Sequence, residues 1–340
     1  MTEIVLVHRD SLSCEAIVRE TENGEFLMVS QCGDLTEPAP GNRVYFWHSK
    51  DKGRSWDPRH PIWPEDGQAV YQTEVSVVGS EITVYLTLHN GYFLDWKCVM
   101  MKSHDNGYTW KNAGAPPVFD SYVFHRGLIQ LNDGTFIQPY QRYSVTPELC
   151  HRCKETNQRI YKQLESIPYN ENGILRSEDG GLSWNAFPAV NISQKKLWNW
   201  GEPTVAELID HTLVMLLRVN GSGCLWRSNS RDGGRTWCEA YKTDIPNPNN
   251  KPKLLKLPNG DIVLLNTPAV RNMKLTDRYP LALWISRDGM KTWPYKRELI
   301  TLPGAISYPD GFCSTDGKHV YLAVEFNRHD IYFVDHEIEE

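Results

Sequence analysis

The chain has 340 residues, and its 36 Lys and Arg against 42 Asp and Glu give a net charge of −6. This balance provides no basic surface for nucleic acid or for an anionic membrane, so neither is expected as a partner. No stretch approaches about 18 consecutive apolar residues, and the opening segment lacks the cationic and apolar regions of a secretory leader. The eight scattered cysteines agree with free thiols in a reducing compartment. We therefore expect a cytoplasmic protein.

A motif with the pattern Ser-x-Asp-x-Gly-x-Ser/Thr-Trp occurs five times along the chain. Its Asp carboxylate can accept backbone N–H groups of a tight turn, the Gly allows a positive φ, and the Trp anchors the turn on apolar neighbours. In the fifth copy Met290 stands in place of the Gly, which predicts a distorted turn. The successive Asp residues are 54, 74, 53 and 56 residues apart, a spacing that fits a four-stranded propeller blade with one insertion. The copies cover residues 49–56, 103–110, 177–184, 230–237 and 286–293.

Short β-branched or aromatic runs surround these motifs, and no long amphipathic helix competes with them. Five motif-bearing units and a final set of strands in residues 306–334 give six blades, with an N-terminal strand at residues 3–8 closing the ring. Joining both termini in one blade removes exposed sheet edges. The sequence thus predicts an all-β fold, a six-bladed β-propeller formed by residues 1–340 as a single domain.

The insertion lies in residues 144–170, after the second strand of the third blade, and its sequence allows a short helix. Second strands end on the face where the innermost strands begin. We therefore expect the inserted segment to form a wall or lid over a site on that face.

The repeat resembles the Asp box of the sialidase superfamily, whose members are six-bladed β-propellers. The resemblance covers nearly the whole chain. In that family the Asp boxes lie on the face opposite the active site, so the repeat specifies the fold far better than the chemistry.

Polar side chains at the heads of the innermost strands should meet near the propeller axis. Residues can be counted back from the turn that follows each innermost strand. In four blades the residue nine positions before that turn is polar, namely Glu15, His125, Glu202 or Tyr308. The same count gives Lys251 in blade five, and blade two offers Glu74.

The second strand of each blade returns to the same face, and its far end should add a second ring of polar side chains. Charged residues at strand ends are often only solvated. Because these residues occupy equivalent positions in the repeat, they are better candidates for a functional role. They are Asp34, His89, Arg142, Arg218, Asn266, Glu325 and Arg328.

The resemblance to sialidases extends to individual residues in the fourth, fifth and sixth blades. It implies Tyr308 as nucleophile and Glu202 as its base. Arg218 and Arg278 would clamp a substrate carboxylate. The family's acid is an Asp in the loops of the first blade, where Asp34 is the nearest candidate.

The first blade departs from the family pattern. Where sialidases have Arg-Ile-Pro, which supplies the first arginine of a carboxylate-binding triad, this chain has Ser13-Cys14-Glu15. The carboxylate of Glu15 would repel that of a sialic acid. Arg142 or Arg328 would have to compensate for the missing arginine.

Three functions remain open at this stage. The leading one is a sialidase-like exo-glycoside hydrolase for a terminal, acidic sugar of an oligosaccharide or glycoside. The second is a polysaccharide lyase, in which an Arg neutralises a uronate while His125 or a Tyr removes the C5 proton. The residues Arg126, Tyr140 and Arg142 on adjacent strands suit that chemistry. The third is a non-catalytic glycan-binding propeller.

None of these functions needs a cofactor, and the chain has no phosphate-binding glycine loop or Rossmann fingerprint. The residues Cys150, His151 and Cys153 have zinc-ligand spacing, but no second pair completes a four-ligand set. We expect no metal centre.

Overall fold

The computed structural model describes residues 1–64, 66–157, 170–191 and 201–339. Its strands form six antiparallel sheets arranged as the blades of a propeller, which confirms the predicted fold class. Blade one contains β2 (Ser13–Glu20), β3 (Phe26–Cys32), β4 (Arg43–Ser49) and β5 (His60–Pro61). Blade two contains β6 (Ala69–Val78), β7 (Glu81–His89), β8 (Lys97–Ser103) and β9 (Lys111–Asn112). Blade three contains β10 (Val123–His125), β11 (Ile129–Gln130), β12 (Phe136–Tyr143), β13 (Asn170–Ser177) and β14 (Asn185–Asn191).

The remaining blades continue the same order. Blade four contains β15 (Pro203–Glu207), β16 (Leu213–Leu217), β17 (Cys224–Ser230) and β18 (Tyr241–Pro246). Blade five contains β19 (Lys253–Lys256), β20 (Ile262–Asn266), β21 (Leu281–Ser286) and β22 (Tyr295–Ile300). Blade six contains β23 (Ile306–Cys313), β24 (His319–Phe326), β25 (Asp330–Glu337) and the N-terminal strand β1 (Thr2–Arg9). Because β1 pairs antiparallel with β25, both chain ends close the ring as predicted.

Apolar side chains fill the space between neighbouring blades. Between blades four and five, for example, Val214 and Leu216 pack with Leu254 and Leu264, and all four are buried. Successive side chains of a strand point to opposite faces of its blade. Neighbouring blades cover both faces, except at the outer strand, so both faces can carry apolar side chains. All eight cysteines are free thiols.

The five predicted motifs form one turn geometry, which we call the repeat turn. In the first copy Asp51 Oδ1 accepts from the Ser55 backbone N–H at 2.8 Å and from the Ser49 hydroxyl at 2.9 Å. The fifth copy keeps these bonds around Asp288, and the Met290 N–H donates to Ser286 Oγ at 2.8 Å. The predicted distortion of this turn is therefore wrong. Met290 adopts the left-handed φ of 64° that Gly takes elsewhere, and the turn's hydrogen bonds hold it there.

The repeat turns lie on one face of the propeller, together with the turns that end the innermost strands. Lys52 of the first repeat turn donates to the Gly24 carbonyl at 3.0 Å, and Tyr108 of the second donates to Glu25 Oε2 at 2.7 Å. Gly24 and Glu25 close the turn between β2 and β3. The heads of the innermost strands consequently lie on the opposite face.

The glycine of the first repeat turn provides a test of how tightly these turns pack. Gly53 has a φ of 89°, and a Cβ there would lie 2.1 Å from Cε1 of Phe333. Gly134 has the same φ of 89° but nothing within 4 Å of an added Cβ. We expect Gly53→Ala to lower the free energy of unfolding by about 1–3 kcal/mol more than Gly134→Ala, because only the first adds overpacking to backbone strain. Urea unfolding of both variants measures the difference, and equal losses would contradict the packing described.

Candidate active site

The heads of three innermost strands carry β-bulges, which turn side chains toward the axis. The bulges lie between Cys14 and Ile17 in β2, between Gln72 and Glu74 in β6, and between Ser307 and Asp310 in β23. A bulge re-aims one side chain out of the strand's alternation. In β2 and β23 the re-aimed residues Glu15 and Tyr308 have positive φ values of 51° and 55°. Non-glycine residues hold such a conformation at a cost of about 1–3 kcal/mol, and they concentrate at functional sites.

A pocket of about 220 Å³ opens at this end of the axis. Its walls come from the heads of the innermost strands and from the loops after β3, β7 and β24. The lining residues are Glu15, Glu37, Pro38, Tyr71, Phe93, Phe124, Arg126, Glu202, Tyr308 and Arg328. The predicted residues Glu15, Glu202, Tyr308 and Arg328 thus come together.

Glu202 and Tyr308 are joined by one guanidinium group. Nη1 of Arg218 donates to Glu202 Oε1 and Oε2 at 3.0 and 2.8 Å, and to the Tyr308 hydroxyl at 3.3 Å. Both Arg218 and Glu202 are buried. The hydroxyl and the carboxylate therefore contact the same nitrogen, an arrangement that suits a nucleophile and its base.

The environment of Tyr308 keeps its hydroxyl protonated. Burial raises the pKa of Tyr308, and the negative charge of Glu202 raises it further, while Arg218 and Arg278 offset only part of the effect. A phenol in this state attacks only if a neighbouring group removes its proton. Glu202 is placed to do so.

A second ion pair crosses the pocket between blades one and three. Nη1 of Arg126 donates to Glu15 Oε2 at 3.1 Å, and Nζ of Lys251 lies 3.5 Å from the same oxygen. Burial favours the neutral acid, but Lys251 and Arg126 outweigh it and hold the pKa of Glu15 below its ordinary value. Glu15 is therefore ionised and not a proton donor at neutral pH.

A third ion pair joins two loops over the pocket. The Arg328 guanidinium donates to Glu37 and lies 4.0 Å from Glu325. Burial raises the pKa of Glu37, which Arg328 only partly offsets. Glu325 is fully buried below it and accepts from the Glu15 backbone N–H at 2.8 Å.

Glu325 predicts a measurable pH dependence of stability. Burial raises its pKa to about 7, and Arg328 only partly opposes the shift, while Glu37 and Glu15 add to it. Folding raises the pKa of this carboxyl group, so the folded state binds its proton more tightly than the unfolded state does. The resulting stabilisation is complete below the ordinary pKa and is lost as the pH rises through the raised pKa. Relative to Glu325→Gln, the wild-type protein should therefore lose about 3 kcal/mol of stability between about pH 4.5 and pH 7.5. Denaturant unfolding of both proteins across this range checks it, and parallel curves would contradict it.

One wall of the pocket is aromatic. Tyr71, Phe93 and Phe124 line it, with ring centroids 5.6 Å apart for Tyr71 and Phe93 and 5.3 Å apart for Tyr71 and Phe124. Helix α1 (Pro147–Glu155) packs Leu149 and Cys153 into the same cluster. The predicted short helix of the insertion thus supports this wall from behind. Residues 158–169, the rest of the predicted wall or lid, lie outside the described residues.

Comparison with known proteins decides the family. Residues 43–321 match the family model described as BNR repeat-like domain. The chain belongs to this family. A curated relative, a sialidase of Bacteroides fragilis, is 26% identical over 214 residues, which are 59% of this chain and 34% of the relative. The chain thus spans about a third of that relative's length.

Solved structures show that other propellers share the fold of this BNR repeat-like protein. A protein of unknown function from Dyadobacter fermentans is 17% identical, with a TM-score of 0.75 and coverage of 99% of this chain and 98% of that one. A Hadza microbial sialidase is 19% identical, with a TM-score of 0.73 over 97% of this chain and 66% of that one. A Trypanosoma rangeli sialidase in complex with sialic acid is 16% identical, with a TM-score of 0.68 over 98% and 58%. The predicted relation to sialidase-like propellers is confirmed.

The structure places Asp34, the predicted acid, outside the pocket lining. Its side chain is exposed and accepts from the backbone N–H groups of Leu35 at 2.7 Å and Gly41 at 3.0 Å, so it caps its own loop. Glu37, three residues later in the same loop, is the carboxyl group that reaches the pocket. The sequence offered no way to choose between two acidic residues of one loop.

His125 is near the axis but faces away from the pocket. It is fully buried, its ring stacks on that of Tyr85 at 4.8 Å, and burial lowers its pKa to about 3. The neighbouring Arg126 lines the pocket instead. The count of nine fails in this blade, where the innermost strand is interrupted between β10 and β11.

The other predicted substrate contacts also lie outside the lining among the described residues. His89 is buried, with its Nδ1 accepting from the Gly91 N–H at 3.0 Å, and burial lowers its pKa to about 3. Arg142 lies exposed over the Phe119 ring at 4.6 Å. Glu74 is buried and accepts from Arg19 at 2.7 Å.

The predicted zinc-like motif falls on helix α1, and its side chains have other partners. Cys150 Sγ lies 3.1 Å from the Tyr122 hydroxyl, and His151 Nε2 lies 3.1 Å from Glu155. Within the described part of the chain, a cluster with metal-ligand distances is formed by His8, Asp10 and Cys32. Arg59 donates to both His8 and Asp10, so a cation already occupies that cluster. No helix of the described residues is long and apolar enough to span a membrane.

Proposed function

We propose that this BNR repeat-like protein is an exo-acting, retaining glycoside hydrolase with Tyr308 as nucleophile and Glu202 as base. The observation that carries the proposal is the contact of Arg218 with both groups, at 2.8 Å to Glu202 and 3.3 Å to Tyr308. The sialidases among its relatives support the same reaction class. Since the chain covers only part of those relatives, its own activity has to be tested directly.

The two steps of the reaction use groups of the pocket. In the first, the Tyr308 oxygen bonds to the anomeric carbon, its proton passes to Glu202, and Glu37 gives a proton to the departing glycosidic oxygen. In the second, Glu37 takes a proton from water as the water oxygen bonds to the anomeric carbon. The bond to Tyr308 breaks, and Glu202 returns the proton to the phenolate. The raised pKa of Glu37 suits a group that must start protonated.

The size of the pocket favours exo action. Its volume of about 220 Å³ is below the roughly 300–1,000 Å³ typical of ligand pockets that take drug-sized molecules. A pocket this small accommodates one terminal sugar unit, with the rest of the glycan outside.

The position of His125 weakens the lyase alternative. Its ring is buried against Tyr85, and with a pKa of about 3 it would be a weak base for removing a C5 proton. Of the two kinds of base considered for a lyase, only the tyrosines Tyr71 and Tyr308 lie in the described lining of the pocket.

Product analysis tests the proposed reaction. The protein is incubated with a panel of oligosaccharides that differ in their terminal unit, and the products are weighed and examined by proton NMR. We expect product masses that sum to the substrate plus one water, and a first-formed sugar with the anomeric configuration of the substrate. Products that sum to the substrate mass and absorb in the ultraviolet as unsaturated uronates would establish the lyase instead.

A further inference from the structure

Every guanidinium group that lines the pocket is already held by a carboxylate of the pocket. Arg126 donates to Glu15 at 3.1 Å, and Arg328 donates to Glu37. Arg218, just behind the lining, is held in the same way by Glu202 at 2.8 Å. Among the described residues, the lining carries three carboxyl groups against two guanidinium groups.

Arg278, the arginine beside Tyr308, donates to neutral groups of the protein and not to a carboxylate. Nη1 of Arg278 donates to Ser307 Oγ at 3.0 Å, and Nη2 donates to the Asn249 carbonyl. Its guanidinium lies over the Tyr308 ring, 5.4 Å from the centroid. Arg218 is therefore not a free clamp for a substrate carboxylate. Both Nη groups of Arg278 are engaged by Ser307 and Asn249, and only its buried Nε has no hydrogen-bond partner among the described residues.

An anionic sugar would meet an unfavourable environment here. Its carboxylate would have to displace Glu15 from its buried ion pair with Arg126, and the displaced group would remain nearby with the same sign of charge. Breaking a buried pair is strongly unfavourable, and like charges brought together add to the loss.

A neutral sugar suits the same groups. Each arginine–carboxylate pair presents N–H donors and carboxylate acceptors side by side, which together satisfy hydroxyl groups without separating the pair. The aromatic wall of Tyr71, Phe93 and Phe124 can cover the C–H face of a pyranose or furanose ring.

We infer that the pocket binds a neutral terminal sugar, a hexose or pentose recognised through its hydroxyl groups, and not the acidic sugar that the family resemblance implies. The inference rests on the proposed function only in taking this pocket as the substrate site. Glu15 is then a specificity-determining residue, because it neutralises Arg126, which would otherwise attract a carboxylate.

Equilibrium binding to the wild-type protein tests the inference without requiring turnover. The probes are glucose, galactose, arabinose and fucose as neutral sugars, with N-acetylneuraminic acid and glucuronic acid as acidic ones, measured by ligand-observed NMR. We expect at least one neutral sugar to bind at least about tenfold more tightly than either acid. Its affinity should change less than about twofold between about 50 mM and 0.5 M salt, because no net charge is bound. Tighter binding of an acid, or no binding of any neutral sugar, would overturn the inference.

The variant Glu15→Gln provides a second, opposite test. Removing this charge frees Arg126, so binding of an acidic sugar should strengthen by about tenfold while neutral binding changes much less. Glu81→Gln, which removes a surface carboxylate on the far side of blade two, is the matched control and should change neither. An unchanged affinity of folded Glu15→Gln for both acids would contradict the role of Glu15. If a neutral sugar binds and no neutral glycoside is cleaved, the proposed hydrolase fails while this inference stands.

Discussion

Replacing Tyr308 with Phe should lower turnover by at least about 10²-fold while substrate binding largely survives. The variant removes only the hydroxyl oxygen that would attack the anomeric carbon. The ring can keep its packing, and Glu202 keeps its two bonds to Arg218. The expected signature is a large fall in kcat with little change in KM, measured on whichever glycoside of the panel the wild-type protein cleaves.

A second tyrosine provides the control for this substitution. Tyr108 lies on the opposite face and donates its hydroxyl to Glu25, so Tyr108→Phe should retain full turnover. Glu202→Gln should resemble Tyr308→Phe, since it leaves the phenol without a base. If folded Tyr308→Phe kept turnover within about tenfold of wild type, its hydroxyl would not be the nucleophile.

The largest expected effect on stability comes from a buried charge cluster on the axis below the pocket. Arg19 donates to Glu74 Oε1 at 2.7 Å and to Asp310 Oδ1 at 2.6 Å, and Lys253 lies 3.0 Å from Asp310 Oδ2. All four side chains are largely buried. Arg19→Met leaves two buried carboxylates with one lysine between them, and it should lower the free energy of unfolding by about 3–5 kcal/mol.

An exposed pair offers a matched comparison. Arg235 donates to Glu178 at 2.6 Å, and both side chains are about half exposed, so Arg235→Met should change stability by no more than about 1 kcal/mol. Denaturant unfolding measures both variants. A loss of less than about 1 kcal/mol for Arg19→Met would mean that the cluster does not hold the innermost strands together.

This cluster also connects the fold to the site. Asp310 follows the bulge of β23 that aims Tyr308 into the pocket, and it joins blade six to blades one and five through Arg19 and Lys253. Burial favours its neutral form, but Arg19 and Lys253 outweigh it and hold the pKa of Asp310 well below the ordinary range. The charged network therefore fixes the strand segment that carries the nucleophile.

The fold could be predicted because its evidence is local and repeated. Each repeat turn fixes its own hydrogen bonds within eight residues, and the spacing of the turns gives the blades. Counting from turns to strand heads finds Glu15, Glu202 and Tyr308 in blades whose innermost strand is a single element, bulged in β2 and β23. It misses Arg126 in blade three, where the innermost strand is divided into β10 and β11.

The remaining site residues depend on tertiary contacts that no local pattern encodes. Glu37 and Arg328 come from loops of different blades and become partners only when blade six closes beside blade one. Whether Arg218 and Arg278 are free to hold a carboxylate depends on their partners, which spacing cannot supply. The sequence shows that Glu15 would oppose a substrate carboxylate, but it cannot show which arginines are free to bind one.

Trapping the covalent intermediate tests the central claim most directly. The wild-type protein is incubated with the 2-deoxy-2-fluoro analogue, bearing a good leaving group, of the glycoside it cleaves, and intact mass and peptide fragmentation locate any adduct. We predict one fluoroglycosyl group per chain, attached to the phenolic oxygen of Tyr308 and absent from Tyr308→Phe. An adduct on Glu202 or another carboxylate, or turnover with inverted anomeric configuration and no adduct, would contradict the account.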